Sequence, residues 1–318
     1  MELTTKYGTL HGIEKVDYTG NGTVKECILN EKNTITLPYG TFVPKYKETG
    51  VRDKFTKSLS FYANGNIKSL SLQKQTEIMT PIGKIAAELV TFYESGRIHR
   101  LFPLNGKLSG YWSEQEESAL ASILTVKTPV ASFDRKINCF HFYESGNICS
   151  ISLWSNELVE VNTPDGNILT RYGFSLYEEG QIKSLEPAFP VSVQTPIGKV
   201  MAYDMFPIGI HADQNSLCYT KEGKVSMVTT ATSSISITEK SKKRTLTLAP
   251  TKKPSQLDIS KLTIVPITIL FNEESITIID SDQQAHPFYL NDIDCKVISS
   301  SNDLSTCSGS CESCGQCS

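Results

Sequence analysis

The chain has 318 residues and a net charge of −3 at pH 7, with 31 basic and 34 acidic side chains interspersed along it. This balance predicts no basic surface for nucleic acid or for an anionic membrane. No stretch approaches the roughly 20 apolar residues of a membrane helix, and the first residues lack the apolar run of a signal peptide. We therefore expect a cytoplasmic protein with no membrane span, whose partner is another protein and not nucleic acid.

One short unit recurs six times, and its clearest copy is Phe140–Leu153. Apolar residues alternate on both sides of Gly146, which predicts two antiparallel strands joined by a glycine turn. Apolar residues stand six and four positions before, and two and five positions after, each equivalent glycine: Gly22, Gly65, Gly96, Gly146, Gly180 and Gly223. Such regular spacing predicts a stack of hairpins.

The pattern also predicts a register for this hairpin. With a four-residue loop built on a type I turn, Tyr143 pairs with Ile148, Phe142 faces Cys149 and Phe140 faces Ile151. Cys149 is then expected on the same face as Phe140, Phe142, Ile151 and Leu153.

A second turn alternates with the first. It has the form Thr-Pro-x-Gly, or a variant of it, at 37–40, 80–83, 128–131, 163–166 and 195–198, and the copy at 128–131 lacks the glycine. Proline presets such a turn and glycine closes it. The sequence therefore predicts an all-β fold: a repetitive antiparallel β-meander, forming an extended or curled sheet of stacked hairpins, with one short helix and a small C-terminal β unit.

Two neighbouring copies carry a family resemblance. The stretches Phe61-Tyr-Ala-Asn-Gly65-Asn-Ile67 and Phe92-Tyr-Glu-Ser-Gly96-Arg-Ile98 resemble bacterial MORN-type repeats, in which an aromatic pair precedes a spacer, a glycine and an apolar residue. The resemblance extends over about residues 10–230. It implies an elongated antiparallel sheet that serves as a scaffold or binding platform.

Two insertions interrupt the repeat. In residues 102–126, Ser113 and Glu116 form a capping box, so we expect a helix near Glu114–Leu124 whose apolar face is Leu120, Ile123 and Leu124. Tyr111 and Trp112 precede it and could line a pocket. In residues 204–213, His211 and Asp213 form a possible ligand pair.

Composition changes after residue 232. Pro250 and Pro254 mark a boundary, and a basic turn at Lys240–Arg244 separates two short predicted strands. Leu262–Phe271 is expected to pair with Ser275–Ile279, and Cys295–Ile298 to add a strand. We predict a repeat domain at 1–232, a small β unit at 233–300 and a cysteine-rich tail at 301–318.

The tail contains the candidate metal-binding residues of the chain. Five scattered cysteines are expected as small packed side chains: Cys27, Cys139, Cys149, Cys218 and Cys295. The other four, Cys307, Cys311, Cys314 and Cys317, lie within eleven residues with small polar spacers. Four closely spaced thiolates suit an iron–sulfur cluster or zinc. A redox-active thiol tail and a tail without a thiol role are the alternatives.

Three functions follow as hypotheses. The first is a non-enzymatic repeat scaffold that carries a metal- or iron–sulfur-binding tail. The second is an iron–sulfur electron-transfer or accessory protein. The third is an enzyme with a site near Tyr111, Trp112 and Glu114, or near His211; no familiar catalytic motif contains any of the five histidines.

Overall fold

The computed structural model describes residues 1–48, 50–52, 56–207, 215–254 and 261–299. Strands dominate these residues, and every strand pairing between them is antiparallel, except for one isolated parallel bridge. The first strands are β1 (Leu3–Thr5), β2 (Gly8–Leu10), β3 (Ile13–Tyr18), β4 (Val24–Leu29), β5 (Ile35–Leu37), β6 (Gly40–Phe42), β7 (Leu59–Phe61), β8 (Ile67–Thr80), β9 (Gly83–Phe92) and β10 (Ile98–Phe102).

One α-helix separates these strands from the rest. After α1 (Glu114–Ala119) come β11 (Ile123–Lys127), β12 (Ser132–Phe142), β13 (Ile148–Leu153), β14 (Leu158–Thr163), β15 (Gly166–Leu176), β16 (Ile182–Pro187), β17 (Val191–Thr195), β18 (Gly198–Ala202), β19 (Leu217–Tyr219), β20 (Val225–Thr230), β21 (Ser233–Glu239), β22 (Arg244–Leu248), β23 (Thr251–Pro254), β24 (Leu262–Val265), β25 (Ile267–Phe271), β26 (Ser275–Ile279), β27 (Ala285–Tyr289), a 3₁₀ turn at Leu290–Asp292 and β28 (Ile293–Ser299). Within the described part of the chain, no helix has the length and apolarity needed to cross a bilayer.

The chain forms two compact units. The first contains the described residues of Met1–Asn162 and Thr170–Lys183, and the second those of Thr163–Leu169, Ser184–Ile208 and Asn215–Ser318. The predicted division at residues 232 and 300 stays a prediction.

The first unit is a stack of hairpins. The pairings run β3–β4, β4–β7, β7–β8, β8–β9, β9–β10, β10–β12, β12–β13 and β13–β15. The apolar repeat positions form its core, and Leu59, Leu70, Leu101, Ile151 and Phe174 are fully buried. Burial of the alternating apolar face explains why the pattern folds as stacked hairpins, and the predicted fold class is confirmed.

The second unit contains the sixth hairpin and the C-terminal strands. β19 pairs with β20, β20 with β25, and β25 with β26. The predicted strand Leu262–Phe271 is divided in two: β25, its second part, pairs with Ser275–Ile279 as expected, whereas β24, its first part, pairs with β23. β21 pairs with β22 across the basic turn, also as expected. β28, which covers the predicted strand at Cys295–Ile298, pairs with β21.

The predicted register is right at one position and wrong at the next. Phe140 pairs with Ile151, but Phe142 pairs with Ile148 and not with Cys149, because a bulge lies between these pairs. A bulge adds one unpaired residue and so exchanges the faces of the residues beyond it. Ile148 is therefore buried beside Phe142, and Cys149 is only half-buried. The loop contains three residues, not four, because the Tyr143 N–H donates to the Asn147 carbonyl.

The predicted helix is present but shorter than expected. The capping box of Ser113 and Glu116 is formed, and α1 ends at Ala119. The expected apolar face is not buried, since Leu120 is 53 % exposed and Ile123 is 66 % exposed. Ile123 already belongs to β11, which pairs with β12. The buried residue of the helix is Glu117.

Candidate functional site

The hairpin turns share one geometry. In the fourth hairpin, the Gly146 N–H donates to the Tyr143 carbonyl at 2.9 Å, and Gly146 has a φ of 100°. The six repeat glycines all make this contact with the residue three positions earlier, and all have positive φ. This is a type I turn followed by a bulge residue in the left-handed region, where glycine is favoured. The turns are therefore copies of one rigid element.

A ladder of tyrosines connects each of the second, third and fourth hairpins to the next one. The hydroxyl of Tyr62 donates to the Phe92 carbonyl at 2.8 Å, and that of Tyr93 donates to the Phe142 carbonyl at 2.9 Å. Tyr143 donates in the same way to Leu176 at 2.9 Å. Each bond satisfies a carbonyl of the neighbouring hairpin and fixes the spacing of the turns.

In the second and third hairpins, the bulged residue after the turn lies against the tyrosine of the same hairpin. The Lys68 ammonium lies 5.6 Å from the centroid of the Tyr62 ring, and the His99 ring lies 4.4 Å from that of Tyr93. Burial, followed by the nearby Cys149, raises the pKa of Tyr143. The hydroxyls of the ladder are therefore neutral donors over the physiological range.

The proline turns are held by their threonines. The hydroxyls of Thr80, Thr163 and Thr195 donate to the carbonyl of the closing glycine at 2.6 to 2.7 Å. Thr128 makes the same bond to Ala131 at 3.1 Å, so the degenerate copy keeps its turn. Thr5 donates to Gly8 at 2.8 Å, which identifies a further turn of this type at 5–8.

Each of several proline turns covers the glycine of a later hairpin. A Cβ atom added to Gly146 would lie 2.9 Å from Pro81 Cγ, and one added to Gly180 would lie 2.8 Å from Pro129 Cγ. Gly223 and Pro164 show the same contact at 3.0 Å. Within the first unit, the two turn types therefore meet along one rim of the hairpin stack.

Clefts open where the two turn types meet. Cleft 1, of about 240 Å³, lies between the turns at 5–8 and 37–40 and the second and third hairpins. Cleft 2, of about 260 Å³, lies between the turns at 80–83 and 128–131 and the fourth and fifth hairpins. Residues at equivalent repeat positions line both clefts: Tyr7 and Ile82, Pro38 and Pro129, Asn66 and Asn147, Ile67 and Ile148, Phe92 and Leu176, and Gly96 and Gly180. The two clefts are thus copies of one site.

Acidic side chains border the rim. Glu94, Glu144 and Glu178 stand two positions before their hairpin glycines and are exposed. Burial raises the pKa of Tyr62 most, and the negative charge of Glu94 raises it further. In the same way, the charge of Glu144 raises the pKa of Tyr93, and the charge of Glu178 raises the pKa of Tyr143. Each carboxylate therefore acts electrostatically on the tyrosine of the preceding hairpin.

The insertion at 102–126 is organised by an ion cluster in which Glu117 is buried and Arg52 and Glu88 are partly exposed. Arg52 donates to both carboxylate oxygens of Glu117 and to both of Glu88, at 2.7 to 3.2 Å. Burial alone lowers the pKa of Arg52, but the hydrogen bonds to these carboxylates outweigh it and raise the pKa. Glu117 also accepts from the Trp112 indole at 2.6 Å and from the Gly106 N–H at 2.7 Å. The cluster fixes the insertion, which agrees with a structural role for Trp112.

The other residues of the predicted enzyme site do not join this cluster. Tyr111 is 84 % exposed and Glu114 is exposed. His211 and Asp213 lie outside the described residues, and so do Cys307, Cys311, Cys314 and Cys317. In the described part of the chain, no group of three His, Cys, Asp or Glu side chains is arranged to hold a metal ion.

Sequence reasoning missed the ladder tyrosines and the first proline-type turn. Tyrosine recurs three positions before the glycine in four of the six hairpins: Tyr62, Tyr93, Tyr143 and Tyr177. This recurrence would have identified the ladder. The turn at 5–8 was missed because Lys6 stands where the other copies have proline.

Comparison of the chain with protein-family models, with curated proteins and with solved structures found no match. The resemblance to MORN-type repeats therefore stays a prediction.

Proposed function

We propose that this protein is a non-enzymatic interaction scaffold. Its stacked hairpins present two equivalent clefts to an extended segment of another protein. Its tail binds a metal ion or an iron–sulfur cluster through Cys307, Cys311, Cys314 and Cys317.

The observation that supports the scaffold is the recurrence of one cleft at equivalent repeat positions. A cleft that recurs along a hydrogen-bonded stack of hairpins suits an elongated ligand, because successive parts of the ligand meet the same surroundings. The walls are rigid, since tyrosine, asparagine and threonine side chains fix the turns. Rigid walls reduce the entropy lost on binding.

The support for the tail is its cysteine spacing. Four thiols within eleven residues, separated by Ser, Gly, Glu and Gln, can surround one centre, and thiolates are the ligands that zinc and iron–sulfur clusters share. Zinc and iron–sulfur clusters both fit this donor set.

Photo-crosslinking tests the scaffold. Benzoylphenylalanine would replace Ile82, a 41 % exposed residue of cleft 2, and in a control variant Ile123, which is exposed outside the clefts. In cells that produce the protein, we expect a discrete adduct from position 82 and none from position 123. No adduct from position 82, or the same set of adducts from both, would contradict the scaffold.

Metal analysis tests the tail. Full-length protein prepared with and without oxygen is compared with a variant in which all four tail cysteines are serine. We expect zinc or iron in the wild type and its loss in the variant. A wild type without either metal under both conditions would refute the metal-binding tail.

A further inference from the structure

We infer that the partner of the clefts is an extended, basic segment with a lysine or arginine at every third position. This inference rests on the proposed function and specifies the chemistry of its ligand. It combines the spacing of the hairpins, the apolar residues that line the clefts, and the acidic side chains in the turns of the third, fourth and fifth hairpins.

The spacing comes from the sheet. The third, fourth and fifth hairpins are neighbours, since β10 pairs with β12 and β13 pairs with β15. Adjacent hairpins are two strands apart, or about 9.6 Å, and three residues of an extended chain span about 10 Å. A ligand that lies across the hairpins therefore meets the same surroundings at every third residue.

The proline turns contribute apolar residues to cleft 2, and its hairpin side carries acidic residues. Pro81, Ile82 and Pro129 contribute from the proline turns, and Glu178 and Glu179 are the charged residues that the hairpins contribute. Lys127 belongs to the proline-turn side. An apolar side chain suits the cleft, and a basic side chain suits the hairpin rim.

The acidic charge repeats with the hairpins. Glu94, Glu144 and Glu178 occupy the same turn position, and Arg97 is the basic residue within these turns. Charges at equal spacing favour a ligand whose opposite charges have the same spacing, since both partners then pair all their charges at once. Lysines at other intervals would meet only one carboxylate at a time.

Peptide binding to the full-length protein tests the inference. Fluorescence anisotropy would compare a repeated Lys-Val-Ser peptide with a peptide of equal composition whose lysines form one block, and with a Glu-Val-Ser peptide. We expect the periodic basic peptide to bind about tenfold more tightly than the blocked one. Its affinity should fall as salt rises from about 0.05 M to about 0.5 M.

Matched variants locate the binding. Replacing Glu144, Glu178 and Glu179 by Gln should lower the affinity for the periodic peptide about tenfold. Three carboxylates are replaced together because each exposed charge pair contributes little alone. The control replaces three other exposed acids of the first unit, Glu14, Glu31 and Glu160, and should bind as the wild type does.

Four results would overturn the inference: equal affinity for the periodic and blocked peptides, equal affinity for the acidic peptide, no saturable binding of the periodic basic peptide, or equal losses in both variants. An adduct from position 82 together with any of these results would leave the scaffold standing and reject only the basic ligand. Absence of the adduct would reject both.

Discussion

The contact between Pro81 and Gly146 offers a direct test of how the two turn types are joined. A Cβ at Gly146 meets Pro81 Cγ at 2.9 Å, whereas a Cβ at Gly96 meets no atom within 4 Å. The two glycines have φ values of 100° and 87°, so alanine is strained at both. This strain costs about 1–3 kcal/mol at each position, and the overpacking at Gly146 adds about 1–3 kcal/mol.

We therefore predict that Gly146→Ala lowers the free energy of unfolding by about 1–3 kcal/mol more than Gly96→Ala does. In a Pro81→Ala background, most of this excess should disappear, because the Cγ at 2.9 Å is gone and only the Cβ at 3.3 Å remains. Urea titration followed by tryptophan fluorescence measures the effect in the first unit, which contains both Trp112 and Trp154. Equal losses at the two glycines, or an excess that persists in full without Pro81, would refute the reasoning.

Three further changes have expected results. Glu117→Gln should lower the free energy of unfolding by about 3 kcal/mol, because Glu117 is the buried carboxylate of the ion cluster. The control Glu114→Gln, at an exposed position, should lower it by less than about 0.5 kcal/mol. Urea titration measures both changes, and equal losses would refute the role of the cluster. Tyr143→Phe should lower the free energy of unfolding by about 1 kcal/mol, because it removes one hydrogen bond. Tyr111→Phe is the control in the same titration and should leave the free energy of unfolding unchanged. The hydrogen bond from His286, at 2.8 Å, lowers the pKa of Asp280. Ionised Asp280 therefore stabilises the folded state above the unfolded pKa of about 3.9, and this stabilisation is lost as pH falls through the folded pKa. The destabilisation by Asp280→Asn, measured by thermal unfolding, should therefore shrink below about pH 3.9, and a pH-independent difference would contradict it.

The sequence predicted the stacked hairpins because burial imposes the apolar spacing. Phe140, Ile151 and Phe174 are fully buried as expected. The bulge was not predicted, although the apolar residues two and five positions after each glycine are three apart and can share a face only if an extra residue lies between them. This is why Ile148, and not Cys149, packs with Phe142.

The clefts and the ion cluster depend on contacts between distant residues. By its sequence, Glu117 is expected to be a solvent-exposed acid of a short helix, and Arg52, 65 residues away, supplies the opposite charge that makes its burial favourable. Pro81 and Gly146 are likewise too far apart in sequence for either turn to indicate the other. The metal-binding tail was predicted from spacing alone, and its residues lie outside those that the structure describes.

Crosslinking from both clefts tests the central claim, that they are copies of one site for an elongated partner. Tyr7 and Ile82 occupy equivalent positions in cleft 1 and cleft 2, and benzoylphenylalanine would replace each in turn. The clefts are two hairpins apart, so the account predicts adducts to one protein, at positions about six residues apart in an extended segment. Adducts to unrelated proteins, or to widely separated parts of one protein, would contradict it.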